Sequence, residues 1–100
     1  MADDIMAIEA GDTFTQSRDV IARDVGGETV LLDLENGVYF GLNSVGGRIW
    51  SMLEGQSRSI AEITQILVEE YDIDAAQAGA DVIALANDLL ANGLIKPAAG

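Results

Sequence analysis

Two short segments of this 100-residue chain carry residue types whose spacing could do chemistry. The first is Gly41-Leu-Asn-Ser-Val-Gly46-Gly47-Arg48, which lies between a strand-like apolar run and a helical one, where a phosphate-cradling loop belongs. Such a loop needs Lys after its second glycine to reach the phosphates, then Ser or Thr to hold magnesium; Gly47 and Arg48 stand there instead. The two glycines are read as letting a helix approach its neighbours closely. The second segment is the acidic run Glu69, Glu70, Asp72 and Asp74, whose Asp72-x-Asp74 resembles the start of a calcium loop. Ala76 then occupies the next ligand position, no glycine follows, and Ile83 stands where a bidentate Glu is required. A solvated helix end with Asp74 as its N-cap accounts for these residues.

The remaining chemistry is bounded by what is missing. The chain has no Cys and no His. Disulfides, iron–sulfur ligation, thiol nucleophiles, the usual zinc sites and every catalytic triad built on an imidazole base are therefore excluded. No catalytic residue, metal site or cofactor is assigned, and the chain is read as a non-enzyme.

Seventeen acidic residues against five basic ones give a formal net charge of -12, with a mean hydropathy of +0.23. Arg18, Arg23, Arg48, Arg58 and Lys96 are scattered singly, so no basic patch exists to neutralise phosphates, and nucleic acid is not an expected partner. Anionic membrane surfaces would repel the chain, and no apolar run approaches the ~20 residues of a spanning helix. The first residues, Met1-Ala-Asp-Asp-Ile-Met6, lack the charge and apolar core of a signal peptide, so a cytoplasmic location is expected. Apolar residues at 49% are ordinary for a folded domain of this length.

Residues 1–17 have no sustained period and are read as a mobile arm with a short strand near Phe14. Three strands follow. Val20, Ile21 and Val25 lead through Gly26-Gly27 into Glu28–Leu34, and Glu35-Asn36-Gly37 leads into Val38–Leu42. Asn36-Gly37 predicts a two-residue type I′ hairpin, which needs positive φ at both positions. Alternation groups Val30, Leu32 and Leu34 on one face and Val38, Phe40 and Leu42 on one face, and these six are expected to point at the core, with Leu31 and Tyr39 pointing away. The rest reads as three helices. Asn43 or Ser44 caps the first, which Gly55 ends; Ser59-x-x-Glu62 is a capping box for the second; Asp74 with Gln77 opens the third, which Asn92-Gly93 closes. The fold class is α+β, a three-stranded antiparallel sheet followed by three helices, winged-helix-like.

The third helix has an unusually wide apolar arc. At about 100° per residue, Ala75, Ala78, Val82, Leu85, Ala86 and Leu89 share one arc, and Ala76, Gly79, Ile83 and Leu90 extend it to roughly half the circumference. Either the helix is sandwiched between two elements, or its second stripe borders a groove that something else fills.

The order of pieces Glu28-Thr-Val-Leu-Leu-Asp-Leu-Glu-Asn-Gly-Val-Tyr-Phe-Gly-Leu-Asn43, Gly47-Arg-Ile-Trp50, Ser59-Ile-Ala-Glu-Ile63, Tyr71-Asp-Ile-Asp74, Asp81-Val82 and Leu89-Leu-Ala-Asn-Gly-Leu-Ile95 resembles the PqqD-like family over residues 12–96. These are the small peptide chaperones that form the recognition elements of ribosomally synthesised, post-translationally modified peptide (RiPP) pathways. The resemblance implies a leader-peptide-binding domain over 18–96, between the 1–17 arm and a 97–100 tail. It implies that the leader of a precursor peptide lies as an extra strand beside the third strand. Val38, Tyr39, Phe40 and Gly41 would pair with it, and Ile83, Asn87 and Leu90 would line its side-chain pocket. The run from Leu31 to Asn43 looks more like leader-binding proteins of lasso-peptide clusters than like the pyrroloquinoline quinone protein. The implied partner is then a leader peptidase, with a radical SAM enzyme as the alternative. A winged-helix regulator is a further reading of the same architecture, opposed by the acidic residues Glu62, Glu69 and Glu70 on the helix that would meet phosphates.

Overall fold

Turn chemistry and helix caps divide the chain into two small sheets and three helices in a computed structural model that describes residues 8–98. The elements in chain order are β1 (Thr13–Gln16), β2 (Val20–Val25), β3 (Glu28–Asp33), β4 (Val38–Leu42), α1 (Ser44–Met52), β5 (Arg58–Ser59), α2 (Ile60–Tyr71), α3 (Ala75–Ala91) and β6 (Ile95–Pro97). One antiparallel sheet has the order β2-β3-β4, and the other the order β5-β1-β6. The expected three strands and three helices are present.

The two hairpin turns differ from each other. Gly26 and Gly27 both take positive φ, 61° and 89°, between the paired residues Val25 and Glu28, which is the two-residue geometry that only such residues adopt cheaply. The second hairpin closes further out, at Asp33↔Val38, so its loop is the four residues Leu34–Gly37 and only Gly37 is left-handed. The cause is Asp33. Its buried carboxylate accepts from the backbone N–H of Glu35 at 3.0 Å and of Asn36 at 3.3 Å, and from Asn36 Nδ2 at 2.9 Å. The side chain thereby builds the turn that Asn36-Gly37 was expected to make alone.

That register corrects the expected core face of β3. Leu31 pairs with Phe40 and is fully buried, whereas Leu32 pairs with the exposed Tyr39 and Leu34 has left the strand. Leu31, Phe40 and Leu42 therefore face α1, while Val30 and Leu32 lie half-buried on the outer face beside Tyr39. On β4 the expected face holds, with Leu42 buried and Val38 and Phe40 half-buried.

The segment read as a mobile arm contains the strand near Phe14, and that strand is the centre of the second sheet. Phe14 is buried in the core. Backbone carbonyls of Ala10 and Asp12 accept from Ala61 and Ile60, satisfying first-turn N–H groups of α2 that the helix cannot pair itself. Gln16 Nε2 donates to Trp50 O at the end of α1 at 2.9 Å, serving a terminal carbonyl in the same way. The packed unit thus begins upstream of residue 18, and at the other end Pro97 belongs to β6. Residues 1–7 lie outside those described.

The helix signals read from sequence are the ones that act. Asn43 accepts from Gly46 N, Ser59 and Glu62 form the reciprocal capping box, and Asp74 accepts from Ala76 N and Gln77 N. Gly93, at φ 71°, ends α3, and Leu94 N reaches back to Leu89 O. The core joins Leu31 and Leu42 from the sheet, Ile49, Trp50 and Leu53 from α1 and its end, Ile63 and Leu67 from α2, and Val82 and Leu89 from α3.

Candidate functional site

The void at the centre of the core is too small for a substrate. The void among Phe14, Ile49, Leu53, Ile63, Val82 and Leu89 measures about 10 Å³, no more than one water needs. Among the described residues, no three acidic, His or Cys side chains are grouped to hold a metal ion. Asn43 Oδ1 and O take the N–H groups of Gly46 and Gly47, so the two glycine donors at this strand–helix junction are engaged. Asp72 is the left-handed C-cap of α2, and Asp74 caps α3, which absorbs the segment that looked like a calcium loop.

What the surface does offer is an open strand edge beside a groove. Among the described residues, β4 is hydrogen-bonded to β3 on one side only, and alternate residues of Val38–Leu42 direct N–H and C=O groups to the other. Unpaired edges of this kind are templates for another strand. The groove starts one residue past β4. It is an open depression of about 550 Å³ lined by Asn43, Val45 and Ile49 at the start of α1, Tyr71 and Ile73 after α2, and Asp81 and Leu85 on α3. Another sizeable depression, about 420 Å³ near Ile8, Phe14 and Pro97, borders β1, whose two edges are already occupied by β5 and β6.

Two features fix the groove walls. Gly46 and Gly47 bring α1 against the strands: a Cβ on Gly46 would stand 3.2 Å from the Leu42 side chain, and one on Gly47 2.5 Å from Thr29 Oγ1. Arg48 then ties α1 to the end of α2, its Nε and Nη2 donating to the two oxygens of Glu70 at 2.9 and 2.8 Å. The guanidinium holds the Glu70 carboxyl below its ordinary range, and the carboxylate strengthens the Arg48 cation in return. Both groups are more than a third exposed, so the pair positions more than it stabilises.

The seven residues expected to bind a ligand are not all brought together. Val38, Tyr39, Phe40 and Gly41 form the open edge, with Tyr39 and Gly41 exposed on the outer face. Ile83 and Leu90 fall on the stripe of α3 that begins at Gly79, which looks onto Thr64 of α2, and Asn87 is exposed beyond it. They lie on the flank opposite Leu85. The sequence reading missed Leu85 and Asp81 as groove residues; the signal was the other border of the same wide arc, where Leu85 lies.

A family model for coenzyme PQQ synthesis protein D (PqqD) matches residues 28–95. A search of curated protein sequences found no match. Among solved structures, TbiB1 in complex with the TbiA(beta) leader peptide is similar at 34% identity and a TM-score of 0.74, over 86% of this chain and 99% of that one. A lasso peptide synthetase B1 complexed with the leader peptide is similar at 30% identity and a TM-score of 0.72, over 84% and 98%. The PqqD truncation of Methylobacterium extorquens PqqCD, a stand-alone RiPP recognition element, shares the fold at 24% identity and a TM-score of 0.76, over 90% and 95%. By the span of the family match, the order of its elements and these likenesses, the chain belongs to the PqqD family.

Proposed function

We propose that this chain binds the leader segment of a ribosomally synthesised precursor peptide and delivers it to a processing enzyme in lasso peptide biosynthesis, without catalysing a reaction itself. The leader adds as a strand to the β4 edge, along Val38–Gly41, and sends alternate side chains into the groove walled by Val45, Ile49, Ile73 and Leu85. The observation that carries this reading is the open edge of β4 running into that groove. Leader binding is supported by the two structures at 30% identity and above, both of which hold leader peptides, and the lasso assignment by the one of them that is a lasso peptide synthetase B1. The delivered leader is then cut by a leader peptidase. A cytoplasmic location follows from this role, and no helix among the described residues is long and apolar enough to cross a membrane.

The energetics require both parts of the site. Some four or five backbone hydrogen bonds at ~1 kcal/mol net each are largely offset by ordering the leader, at ~1–2 kcal/mol per residue. Two buried leader side chains, at ~1.5–3 kcal/mol each, supply the surplus and the selectivity. Titration calorimetry with the TbiA(beta) leader peptide, combined with amide exchange, tests the reading. Binding should slow exchange at alternate residues of 38–42; binding without protection there refutes strand addition.

A further inference from the structure

The groove has one charged wall residue. Val45, Ile49, Ile73 and Leu85 make it apolar, and Asp81 carries the charge. Asp81 is exposed, and Gln77 Nε2 donates to its Oδ1 at 2.9 Å, so one oxygen has an amide partner, and among the described residues no cation pairs with the carboxylate. The cation at this end of the molecule, Arg48, is committed to both oxygens of Glu70. Arg18 lies between β1 and β2, and Arg23, Arg58 and Lys96 sit on β2, β5 and β6; none of the four lines the groove.

Spacing then links this charge to its apolar neighbour. Asp81 and Leu85 stand one helical turn apart on α3, about 6 Å at 1.5 Å per residue. In an extended segment, residues i and i+2 point the same way about 6.6–7 Å apart. A segment lying along α3 therefore offers one side chain to Leu85 and the next same-facing one to Asp81.

We propose that Asp81 is a specificity-determining residue of the groove, selecting leader segments in which a Lys or Arg stands two positions from the apolar side chain that packs on Leu85. This rests on the strand-addition reading. The net charge of -12 adds a long-range bias in the same direction, but only Asp81 fixes the position of the base.

The experiment uses the full chain, its Asp81→Asn, Asp81→Lys and Leu85→Asp variants, and a displayed library of random 12-residue peptides, with circular dichroism confirming that each variant is folded. Wild-type protein should enrich peptides with an apolar residue and a Lys or Arg two positions apart. Asp81→Lys should replace the base by Asp or Glu, and Leu85→Asp should lose enrichment. Changing the enriched base to Ala should weaken binding roughly two- to five-fold in low salt for wild type and leave Asp81→Asn unaffected. Apolar enrichment with no charge preference, or an equal penalty in Asp81→Asn, overturns the assignment of Asp81 while leaving strand addition intact. If folded wild-type protein enriches nothing, strand addition itself fails.

Discussion

Gly47→Ala should destabilise the protein although alanine is the better helix former. In a helix interior the exchange is worth about 1 kcal/mol in favour of alanine. Here the new Cβ would stand 2.5 Å from Thr29 Oγ1 and 3.3 Å from Thr29 Cβ, against an ordinary contact of about 3.4 Å or more. Thr29 must rotate, breaking its 3.3 Å hydrogen bond to Asp24, or α1 must withdraw from β3. Overpacking of this kind costs ~1–3 kcal/mol, so the net is a loss of up to ~2 kcal/mol. For a domain this size each kcal/mol lowers Tm by roughly 4–8 °C. Thr29→Ala removes the nearest obstacle, and in that background Gly47→Ala should become neutral or stabilising. A four-membered cycle measured by thermal and urea unfolding isolates the coupling, expected at ~1–2 kcal/mol. Because α1 carries Val45 and Ile49, leader affinity should fall with Tm in the single variant and recover in the double. A single variant that melts higher than wild type, or additive effects around the cycle, would refute the close-approach argument.

Other perturbations separate the groove from the core and the turn from both. Leu85→Asp should cost the binding of one apolar leader side chain, roughly 10- to 150-fold in affinity by calorimetry, with a modest change in Tm. Leu90→Asp, on the α2 flank, should do the reverse, lowering Tm while the folded protein binds leader within about two-fold of wild type. Asp33 is held below the ordinary carboxylate value of 3.8 by the Asn36 side-chain hydrogen bond, aided by the Asn36 and Glu35 backbone N–H groups and opposed by desolvation. A depressed folded pKa means stabilisation that is present above 3.8 and withdrawn as pH falls through the lower folded value. Asp33→Asn should therefore melt lower at neutral pH and lose less than wild type between roughly pH 5 and 3; parallel acid limbs would count against the turn role of Asp33.

The helices were legible because their caps are local. Ser59-x-x-Glu62, Asp74 and Asn92-Gly93 each act on backbone within a few residues, so spacing alone places them. The strands were legible as strands, but the face of β3 was not taken correctly, although parity could have decided it. Any even-length loop couples odd positions of β3 to even positions of β4, so Leu31 must share a face with Phe40 and Leu42 whichever of the two loops forms. A short strand near Phe14 was legible, but not its place at the centre of a sheet, because Thr13–Gln16 offers a single inward apolar side chain, and its partners β5 and β6 are two and three residues long and distant in sequence. The groove border on α3 depends on which flank meets α2. That is a tertiary fact, set by Gly79 lying against Thr64, and periodicity does not contain it.

The sheet β2-β3-β4 has two open edges, and only one can select a peptide. Along β2, Ile21 to Val25 are exposed, and the depression between this strand and α1 is only about 170 Å³ and is lined by Arg23, Asp24, Thr29, Ser51 and Glu54 beside Ala22 and Trp50, so it offers an incoming side chain little apolar wall. A strand added there would gain backbone hydrogen bonds whose worth is consumed by its own ordering. Past the end of β4, α1 and α3 line the groove that opens at Asn43, and on the proposed reading the same backbone bonds are joined there by buried side chains. The opposite charges on β2 also discourage edge pairing, as Lys and acidic residues do on other exposed edges. If the leader binds as proposed, selectivity comes from the helices, and the strand edge supplies only register. This is why substitutions at Leu85 and Asp81, and not the identity of Tyr39 or Gly41, should decide which leader binds.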